Sequence, residues 1–402
     1  MLTAQTPPHE RRVLFLVFGA TSSMVLGVST VMPMIPSLAR IFDVSQTTAS
    51  LAITMFTLPG ILFALVAGML ADRFGRRAVL VPSLFLFAFA GAGCAFVDEN
   101  SFHMLLALRF VQGIGAASLG VLNTTIIADM WSGQRMASLV GLNTTVLNIC
   151  TALYPSIGGV LAYFDWRYPF LLSLLALPAA FLALATPLAN PGTAGTFRHY
   201  LSDVGRIFQT RKIMGLLAIT GVTFIVLYGP IITCFPVLAD TVFQASPAVI
   251  GGCMIFSSFG AAISASQLGR LYTRFSSRGM LLFSQVLYLA AMVMIIRFPS
   301  LLWMLFPIFI FGFGQGLNIP NVQAQLLNAA SPTQRAAVMS VNGMLLRLGQ
   351  TLAPVGLSSV MAAFGVEWGF YAGMLLACVI VALVCVYVPR PGKGPEITSS
   401  SA

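Results

Sequence analysis

Charged side chains are scarce in this sequence. They make up 8% of the 402 residues, whereas hydrophobic residues make up 58%. A soluble domain carries about 25% charged residues, so this chain has too few to cover the surface of a water-soluble fold. The mean hydropathy of +0.91 indicates the same. We therefore exclude an ordinary soluble domain and expect lipid to be the solvent.

Residues that could carry out catalysis or bind a metal ion are also few. The six cysteines form no CxxC pair, and the three histidines have no metal-ligand spacing. We find no convergent set of nucleophile, base and metal ligands, so we expect neither an enzyme nor a bound cofactor. A sensor is disfavoured because the longest hydrophilic stretch is too short for a signalling domain.

The net charge of +10 would suit a nucleic-acid-binding protein. That function needs a solvated basic face, but the basic residues here stand singly or in small groups between apolar runs. Such a distribution is typical of topology signals in membrane proteins. We therefore expect no nucleic-acid partner.

Apolar runs recur along the whole chain, and each is long enough for a transmembrane helix, which needs roughly 20 residues. The runs lack the alternating ten-residue pattern of a membrane barrel. The predicted fold class is therefore an all-α membrane protein with twelve transmembrane helices. The approximate runs are 13–36, 48–70, 78–97, 103–128, 136–163, 168–188, 213–237, 247–268, 279–296, 300–328, 337–363 and 368–389.

The positions of Lys and Arg predict the orientation. With the N-terminus inside the cell, most of the 21 Lys and Arg residues fall in inner segments. The outer loops hold only Arg40, Arg167 and Arg297, while Arg109 and Arg347 lie inside predicted helices. Because inner loops are enriched in Lys and Arg, we expect a multi-pass protein of the cell inner membrane with both termini in the cytoplasm.

The two halves of the sequence are related. Residues 68–77 and 269–278 share Gly, Leu, Arg, Phe and Arg at an offset of 201, and Gln112 has a counterpart in Gln315 at an offset of 203. Such a repeat predicts two pseudo-symmetric six-helix halves with the substrate site near the midplane between them. The predicted units are an N-terminal half at 1–188, a cytoplasmic linker at 189–212, and a C-terminal half with a short polar tail at 213–402.

The loop between the second and third spans reads Gly-Met-Leu-Ala-Asp-Arg-Phe-Gly-Arg-Arg. With three further motifs, it makes the sequence resemble the major facilitator superfamily and, within it, the twelve-span drug:proton antiporters. The resemblance covers nearly the whole chain and implies a cluster that latches the halves in the outward-facing state. Its members would be Gly68, Asp72, Arg73, Gly75, Arg76, Arg77 and, at the end of the fourth span, Asp129.

Within this cluster we expect Arg73 to pair with Asp129, and Gly68 to let another helix approach closely. The alternative is that Arg73, Arg76 and Arg77 merely follow the positive-inside rule.

The second motif lies in the fourth span, where Leu105, Arg109, Gln112 and Gly113 fit the pattern l-x-x-x-R-x-x-q-G. An arginine at the centre of a span costs about 2.5–3.5 kcal/mol on insertion scales, so Arg109 should face the bundle interior or a water-filled cavity. The resemblance implies a part for Arg109 in proton coupling. The alternative is that Arg109 snorkels to the nearby outer end of the span.

The third motif lies in the fifth span, where the antiporter pattern is g-x8-G-x3-G-P-x2-G-G. The resemblance implies a kinked helix that seals the cavity, and simple helix packing is the alternative. Cys150 and Tyr154 replace two glycines of the pattern, which weakens the antiporter interpretation. The matching residues are Gly141, Pro155, Gly158 and Gly159.

The fourth motif ends the first span. Leu26-Gly27 is followed by Pro33 and Pro36 at the spacing of l-g-x5-P-v-x-P, which favours twelve-span over fourteen-span drug exporters. The alternative, a helix ended by prolines, explains Pro36 but not the whole spacing.

No carboxylate is predicted at mid-membrane, because all eleven acidic residues fall in loops, tails or helix ends. The interior charges are Arg109 and Arg347, and Arg347 is equivalent to Asn148 in the repeat. A buried cation needs carbonyls, water or an anion. We therefore hypothesise a cavity for neutral, zwitterionic or anionic substrates rather than hydrophobic cations. Expected lining residues are Asn123, Asn148, Tyr228, Gln315 and Asn318.

These features predict a secondary active transporter that exports small amphipathic, drug-like molecules by alternating access in exchange for protons. The alternatives are a metabolite or siderophore exporter, or an uncoupled facilitator of the same fold. The expected partners are a small-molecule substrate and the lipid bilayer. The expected oligomeric state is a monomer, and the proton gradient is the expected energy source.

Overall fold

A computed structural model describes residues 7–131, 133–188, 210–272, 274–297, 300–330 and 335–388. Within these ranges the regular structure is helical throughout. The helices group into twelve spans, numbered here along the chain, so the predicted all-α membrane fold is confirmed.

Spans 1 to 6 form the first half, and four of them are made of more than one helix. Span 1 comprises Pro8–Ser29, Met32–Met34 and Ile35–Ile41; span 2, Gln46–Thr57 and Pro59–Phe74; span 3, Arg76–Gly93 and Cys94–Phe96; span 4, Phe102–Met130; span 5, Gly133–Phe164; and span 6, Tyr168–Leu171, Leu172–Ala176 and Leu177–Ala185.

Spans 7 to 12 form the second half, in which span 7 alone is divided. Span 7 comprises Arg211–Val226, the π-helical segment Leu227–Cys234 and Phe235–Phe243; span 8, Pro247–Tyr272; span 9, Ser277–Arg297; span 10, Leu301–Ala329; span 11, Arg335–Phe364; and span 12, Val366–Tyr387.

Ten of the described spans are long and apolar enough to cross a membrane. The other two are spans 2 and 11. Span 2 is divided at Leu58 into helices of 12 and 16 residues. Span 11 has 30 residues, but Asn342, Arg347 and Gln350 lower its hydropathy. Both spans therefore differ from a single uninterrupted apolar transmembrane helix.

Prolines account for several interruptions, because proline lacks the N–H that continues a helix. Pro36 lies at the start of the helix Ile35–Ile41 in span 1, and Pro59 at the start of the second helix of span 2. In span 7, Pro230 lies within the π-helical segment, where Thr233 Oγ1 donates to the carbonyl of Tyr228 at 2.7 Å. π turns are frequent at functional sites.

The two halves repeat one another in detail. Thr21 of span 1 donates to Asn143 of span 5 at 2.6 Å, and Thr220 of span 7 donates to Asn342 of span 11 at 2.8 Å. Both members of the pair are displaced by 199 residues. The two six-helix halves are thus pseudo-symmetric, as the sequence repeat predicts.

Both ends of the described chain lie at one face of the bundle. Arg135, at the start of span 5, pairs with Glu10, at the start of span 1. Arg278, at the start of span 9, donates to the carbonyl of Val388, just after span 12, at 2.8 Å. We call this face the termini face and the opposite one the far face.

Spans 1 and 7 exceed their predicted lengths by the most. Span 1 runs over Pro8–Ile41 instead of 13–36, and span 7 over Arg211–Phe243 instead of 213–237. Helices extend past the hydrocarbon core into the interfacial layers, where polar and basic residues are tolerated. Arg211 and Lys212 therefore belong to span 7, and residues 189–209 of the predicted linker lie outside the described residues.

Candidate functional site

Spans 2 and 11 join the halves through hydroxyl groups between the membrane centre and the far face. Thr47 donates to the carbonyl of Ser358 at 3.0 Å, and Thr54 donates to the carbonyl of Thr351 at 3.1 Å. Thr351 Oγ1 also lies 3.0 Å from Thr57 Oγ1. We call this the hydroxyl seam, made of Thr47, Ser50, Thr54 and Thr57 with Thr351, Pro354 and Ser358.

Spans 5 and 8 join the halves through bare backbone. A Cβ added at Gly159 would overlap the carbonyl of Pro247, and one added at Gly251 would overlap the carbonyl of Pro155. Ser156 Oγ also donates to the carbonyl of Gly251 at 2.8 Å. These five residues form the glycine seam, where a missing side chain is what permits the close approach.

The far face is further closed by an ion pair between Arg40 of span 1 and Asp240 of span 7. This pair and both seams lie between the membrane centre and the far face. The structure is therefore closed toward the far face.

At the termini face, the turn after span 2 depends on Gly75, whose φ of 95° is unfavourable for other residues. Arg76 begins span 3, and its Nε lies 2.8 Å from Asp129 Oδ2. Arg73 is instead exposed, with its guanidinium over the ring of Phe74. The expected pairing of Arg73 with Asp129 is therefore wrong, because the turn at Gly75 directs Arg76 toward span 4.

Other members of the predicted latch lie apart from the contact between the halves. Arg77 donates to the carbonyl of Leu184 in span 6. A Cβ at Gly68 would meet Val121 at 3.7 Å, an ordinary contact, so the part of the chain that the structure describes shows no close helix approach at this glycine. The side chain of Asp72 lies outside the described residues. The latch itself stays a prediction.

Arg109 is fully buried, so the snorkelling alternative is wrong. Its Nε donates to the carbonyl of Ala52 at 3.0 Å and its Nη1 to Gln112 Oε1 at 2.8 Å, while its guanidinium lies 4.4 Å from the ring centre of Phe56. Gln112 Nε2 in turn donates to Ser173 Oγ at 2.9 Å. Nη2 has no hydrogen-bond partner within the described ranges. The whole arrangement lies inside the first half.

The glycine after Gln112 lets spans 2 and 4 touch. A Cβ at Gly113 would overlap the carbonyl of Phe56, and the equivalent Gly316 of span 10 lies against the carbonyl of Ala261 in span 8 in the same way. One turn away the halves differ, because Gly312 occupies the position equivalent to Arg109. Arg109 thus places a large side chain in a helix contact where the second half has a glycine.

Arg347 lies in a different environment, because it reaches from span 11 into the first half. A Cβ added at Gly60 of span 2 or at Gly120 of span 4 would overlap its side chain. Close by in the second half, Gln350 Nε2 donates to the hydroxyl of Tyr228 at 2.9 Å. Arg347, Tyr228 and Gln350 therefore lie at the centre of the molecule, where the halves meet.

Two of the expected cavity amides serve their own half instead. Asn123 Nδ2 donates to Thr21 at 2.8 Å, and Asn318 Nδ2 donates to Thr223 at 3.0 Å. A buried amide must find a partner, and a threonine on the next helix is the nearest one. Their placement in the cavity is corrected accordingly.

The other expected cavity residues differ among themselves. Tyr228 meets Gln350 at the centre, Gln315 is half-buried and Asn148 is exposed. Sequence reasoning missed Gln350, Gly60 and Gly120. The three-residue spacing of Gln350 from Arg347, which puts both on one helix face, could have indicated Gln350.

In span 5, the motif residues act mainly in packing. Gly158 lies against the backbone of Thr30 in span 1, and Gly159 and Pro155 belong to the glycine seam. Tyr154, which replaces a glycine of the pattern, hydrogen-bonds through its hydroxyl to Ser22. Gly141 lies within the helix, but its contacts are outside the described ones.

An all-helical bundle of two pseudo-symmetric halves, closed at one face and polar at its centre, is typical of a secondary transporter. The family model described as Major Facilitator Superfamily matches residues 17–243 and 217–401. The chain therefore belongs to the Major Facilitator Superfamily and is a membrane transporter, not an enzyme.

Curated relatives align over nearly their whole length. The bacillibactin exporter of Bacillus subtilis (strain 168) is 25% identical, covering 93% of this chain and 95% of the relative. The tetracycline resistance protein, class G, of Vibrio anguillarum is 27% identical, covering 91% and 94%. The multidrug resistance protein MdtL of Escherichia coli O157:H7 is 25% identical, covering 95% and 96%.

Solved structures have the same fold. The nucleoside transporter NupG has a TM-score of 0.77 at 10% identity, covering 94% of this chain and 100% of its own. The human organic anion transporter MFSD10 (TETRAN) has a TM-score of 0.67 at 20% identity, with the same coverage. At these identities the similarity establishes the fold alone.

Proposed function

We propose that this chain exports small amphipathic molecules from the cytoplasm by alternating access, in exchange for protons. The observation that carries the proposal is the one-sided closure, in which both seams and the Arg40–Asp240 pair lie on the far-face side. In this proposal the termini face is cytoplasmic, so the conformation is the inward-facing one. Support for the orientation comes from the basic residues near that face, among them Arg73, Arg76, Arg77, Arg135, Arg211, Lys212, Arg270, Arg274 and Arg278.

Transport requires that the far face open while the termini face closes. The hydroxyl seam then exchanges its hydrogen bonds between the halves for bonds to water, and the glycine seam separates. Arg73 is exposed at the termini face and free to meet the second half, which fits the predicted latch of 68–77. We also propose that the protein is a monomer and that a cytoplasmic linker joins its two halves, which comprise residues 1–188 and 213–402.

The direction of transport is taken from the relatives. Their names describe an exporter of bacillibactin and proteins of tetracycline and multidrug resistance. Export of amphipathic molecules suits the central site, where Tyr228 and Gln350 meet and Met24 packs beside Arg347 at Gly120.

Proton coupling would use the carboxylates of the termini face. Asp129 binds Arg76, so breaking this pair would loosen the contact between spans 3 and 4. Arg109 then contributes by fixing spans 2 and 4 relative to one another through Ala52.

A second candidate is a metabolite or siderophore exporter, or an uncoupled facilitator of the same fold. It is favoured by one observation: the described ion pairs of carboxylates, made by Asp129, Asp240, Glu10 and Glu99, lie near the faces of the membrane. Within the described residues, none of these pairs offers a proton carrier at the centre.

Transport into proteoliposomes under an imposed pH gradient tests the coupling. We expect gradient-driven uptake of amphipathic drugs, strongly reduced in Asp129→Asn and retained in Arg297→Gln, which alters an exposed arginine at the far-face end of span 9. Movement down a concentration gradient with no response to pH would establish the facilitator instead.

The orientation has its own test. A fluorescent protein fused to the C-terminus should fluoresce and alkaline phosphatase fused there should be inactive, because the termini face is cytoplasmic in this proposal. A dark fluorescent protein and an active alkaline phosphatase would reverse the orientation, so that the closed far face would be the cytoplasmic one.

A further inference from the structure

The centre of the molecule contains a cation whose partner is missing from the described chain. Arg347 is 12 residues from Arg335, the start of span 11, which is about 18 Å at 1.5 Å per residue. That distance places it near the middle of a hydrocarbon core of about 30 Å. A charge at this depth needs compensation.

The hydrogen bonds around Arg347 leave its guanidinium group available. Its carbonyl accepts from Thr351 at 2.8 Å, but within the described residues no carboxylate lies within ion-pair distance of the guanidinium. Arg109, the other interior arginine, differs because it is held by Ala52, Gln112 and Phe56. Arg347 is therefore the interior charge that a ligand can reach.

The neighbours of Arg347 add a second donor. Tyr228 accepts a hydrogen bond from Gln350, so its hydroxyl hydrogen is left to donate to another oxygen. Tyr228 is close enough to Arg347 to interact with it electrostatically. The π-helical segment Leu227–Cys234 holds Tyr228 at this position. A planar guanidinium beside a hydroxyl donor matches the oxygens of a carboxylate.

The surroundings suit an apolar body next to such a charge. Phe224 lies one turn before Tyr228, with ring centres 6.4 Å apart, and Met24 of span 1 packs near Gly120 beside the guanidinium. One unpaired arginine balances one negative charge. A monoanion with an aromatic or aliphatic body is thus the complement of this site.

We propose that Arg347, Tyr228 and Gln350 form a binding site for the carboxylate of an amphipathic organic anion at the membrane centre. This inference rests on the proposed transport function and specifies its substrate class. Because Arg347 belongs to the second half and packs against Gly60 and Gly120 of the first, the bound anion contacts the place where the halves rock against each other.

Binding to the purified protein in nanodiscs, without any ion gradient, tests the site. The probes are naphthaleneacetate, its neutral isostere naphthaleneacetamide, and naphthylethylammonium, each followed by equilibrium dialysis. We expect the anion to bind roughly tenfold or more tightly than the amide, because hydrogen bonds between charged groups are the strong ones. The ammonium should bind most weakly.

Variants separate charge from geometry. Arg347→Gln should bring the affinity for naphthaleneacetate down to that for the amide, and Arg347→Lys should keep only part of the preference because lysine lacks the planar fork. The matched control Arg297→Gln, at an exposed position, should bind like the wild type. If Arg347→Gln does not fold, Tyr228→Phe replaces it, with a several-fold loss expected for the anion alone.

Equal affinities for the three probes, a preference for the ammonium, or an anion preference that survives Arg347→Gln or is unchanged in Tyr228→Phe would each overturn the proposal. Its failure is distinct from that of the transport function. Proton-driven export of cations would reject the anion site and keep the antiporter, whereas anion binding without gradient-driven transport would do the reverse.

Discussion

The two seams that join the halves occupy equivalent positions in the internal repeat, yet they are built differently. In the hydroxyl seam, Ser50 Oγ donates to the carbonyl of Pro354 at 3.3 Å. In the glycine seam, Gly251 meets the carbonyl of Pro155 with no room for a Cβ. Ser50 and Gly251 are 201 residues apart, and Pro155 and Pro354 are 199 apart. The carbonyls of the equivalent residues Pro354 and Pro155 thus contact a hydroxyl group in the hydroxyl seam and a glycine backbone in the glycine seam.

This difference indicates how each seam opens. Hydroxyl groups that lose a partner across the seam can bond to entering water, so their separation costs little. Close backbone contacts lose their dispersion attraction outright when the helices part. We therefore expect the hydroxyl seam to depend on hydration and the glycine seam on shape, and four experiments examine this expectation in order of decreasing effect.

The largest effect should come from locking the hydroxyl seam. Ser358 Oγ donates to Ser50 Oγ at 3.1 Å, so cysteines at both positions have their sulfur atoms close enough to oxidise. In Ser50→Cys/Ser358→Cys, oxidation should abolish transport in proteoliposomes, and a reductant should restore it. The two single variants are the controls, and transport by the cross-linked protein would mean that this seam does not open.

A wedge in the glycine seam should have the next largest effect. Gly251→Ala forces a methyl group against the Pro155 carbonyl, and overpacking of this kind costs about 1–3 kcal/mol. The far face should then open, which spin labels at Ser101 and Ser300 would report as a longer distance in a cysteine-free background. Gly252→Ala is the matched control, because a Cβ there meets nothing within 4 Å; equal distances in both variants would refute the role of shape.

Removal of one hydroxyl should have a smaller effect. Ser50→Ala deletes the bond to Pro354, and hydrogen bonds between membrane helices average only about 0.6 kcal/mol. The same spin-label distance should shift only slightly toward the open form. A shift as large as that of Gly251→Ala would remove the distinction between the seams.

The smallest effect on the far face should follow from bonds within a half. Thr21→Val and Thr220→Val each remove the repeated threonine–asparagine bond, so thermal stability in detergent should fall while the spin-label distance stays unchanged. Thr21→Val should cost more, because Asn123 also bonds to Thr21. An opened far face in either variant would mean that the halves do not move as rigid units.

Much of the fold is readable from the sequence. Run lengths and the near-constant offset predict twelve spans and two halves, because both signals are local and need no knowledge of packing. The depth of Arg109 and Arg347 in their spans likewise predicts interior positions, since lipid tolerates neither charge.

The side-chain partners are less predictable, because they depend on helix phase. The sequence offers Arg73 and Arg76 equally to Asp129, and only the φ of 95° at Gly75 decides for Arg76. Asn123 is equally suited to a cavity or a neighbouring helix, and the position of Thr21 across the helix contact decides between them. Partners of this kind depend on the three-dimensional packing of the helices.

The π-helical segment Leu227–Cys234 lies where the offset between the two halves of the repeat changes by one residue. Thr21 and Thr220 differ by 199, whereas Arg40 and Asp240 differ by 200, so the second half has one extra residue between these points. In an α-helix of 3.6 residues per turn, one extra residue would rotate everything after it by about 100°. The wider turn absorbs the insertion and keeps Asp240 directed at Arg40.

Arg40 and Asp240 are therefore counterparts of one another that touch, and residues of that kind straddle the pseudo-two-fold axis. In a symmetric dimer of identical halves, an arginine at this position would face its own copy and repel it. Here duplication within one chain has allowed the two copies to take opposite signs. The pair is a contact that two identical halves could not make.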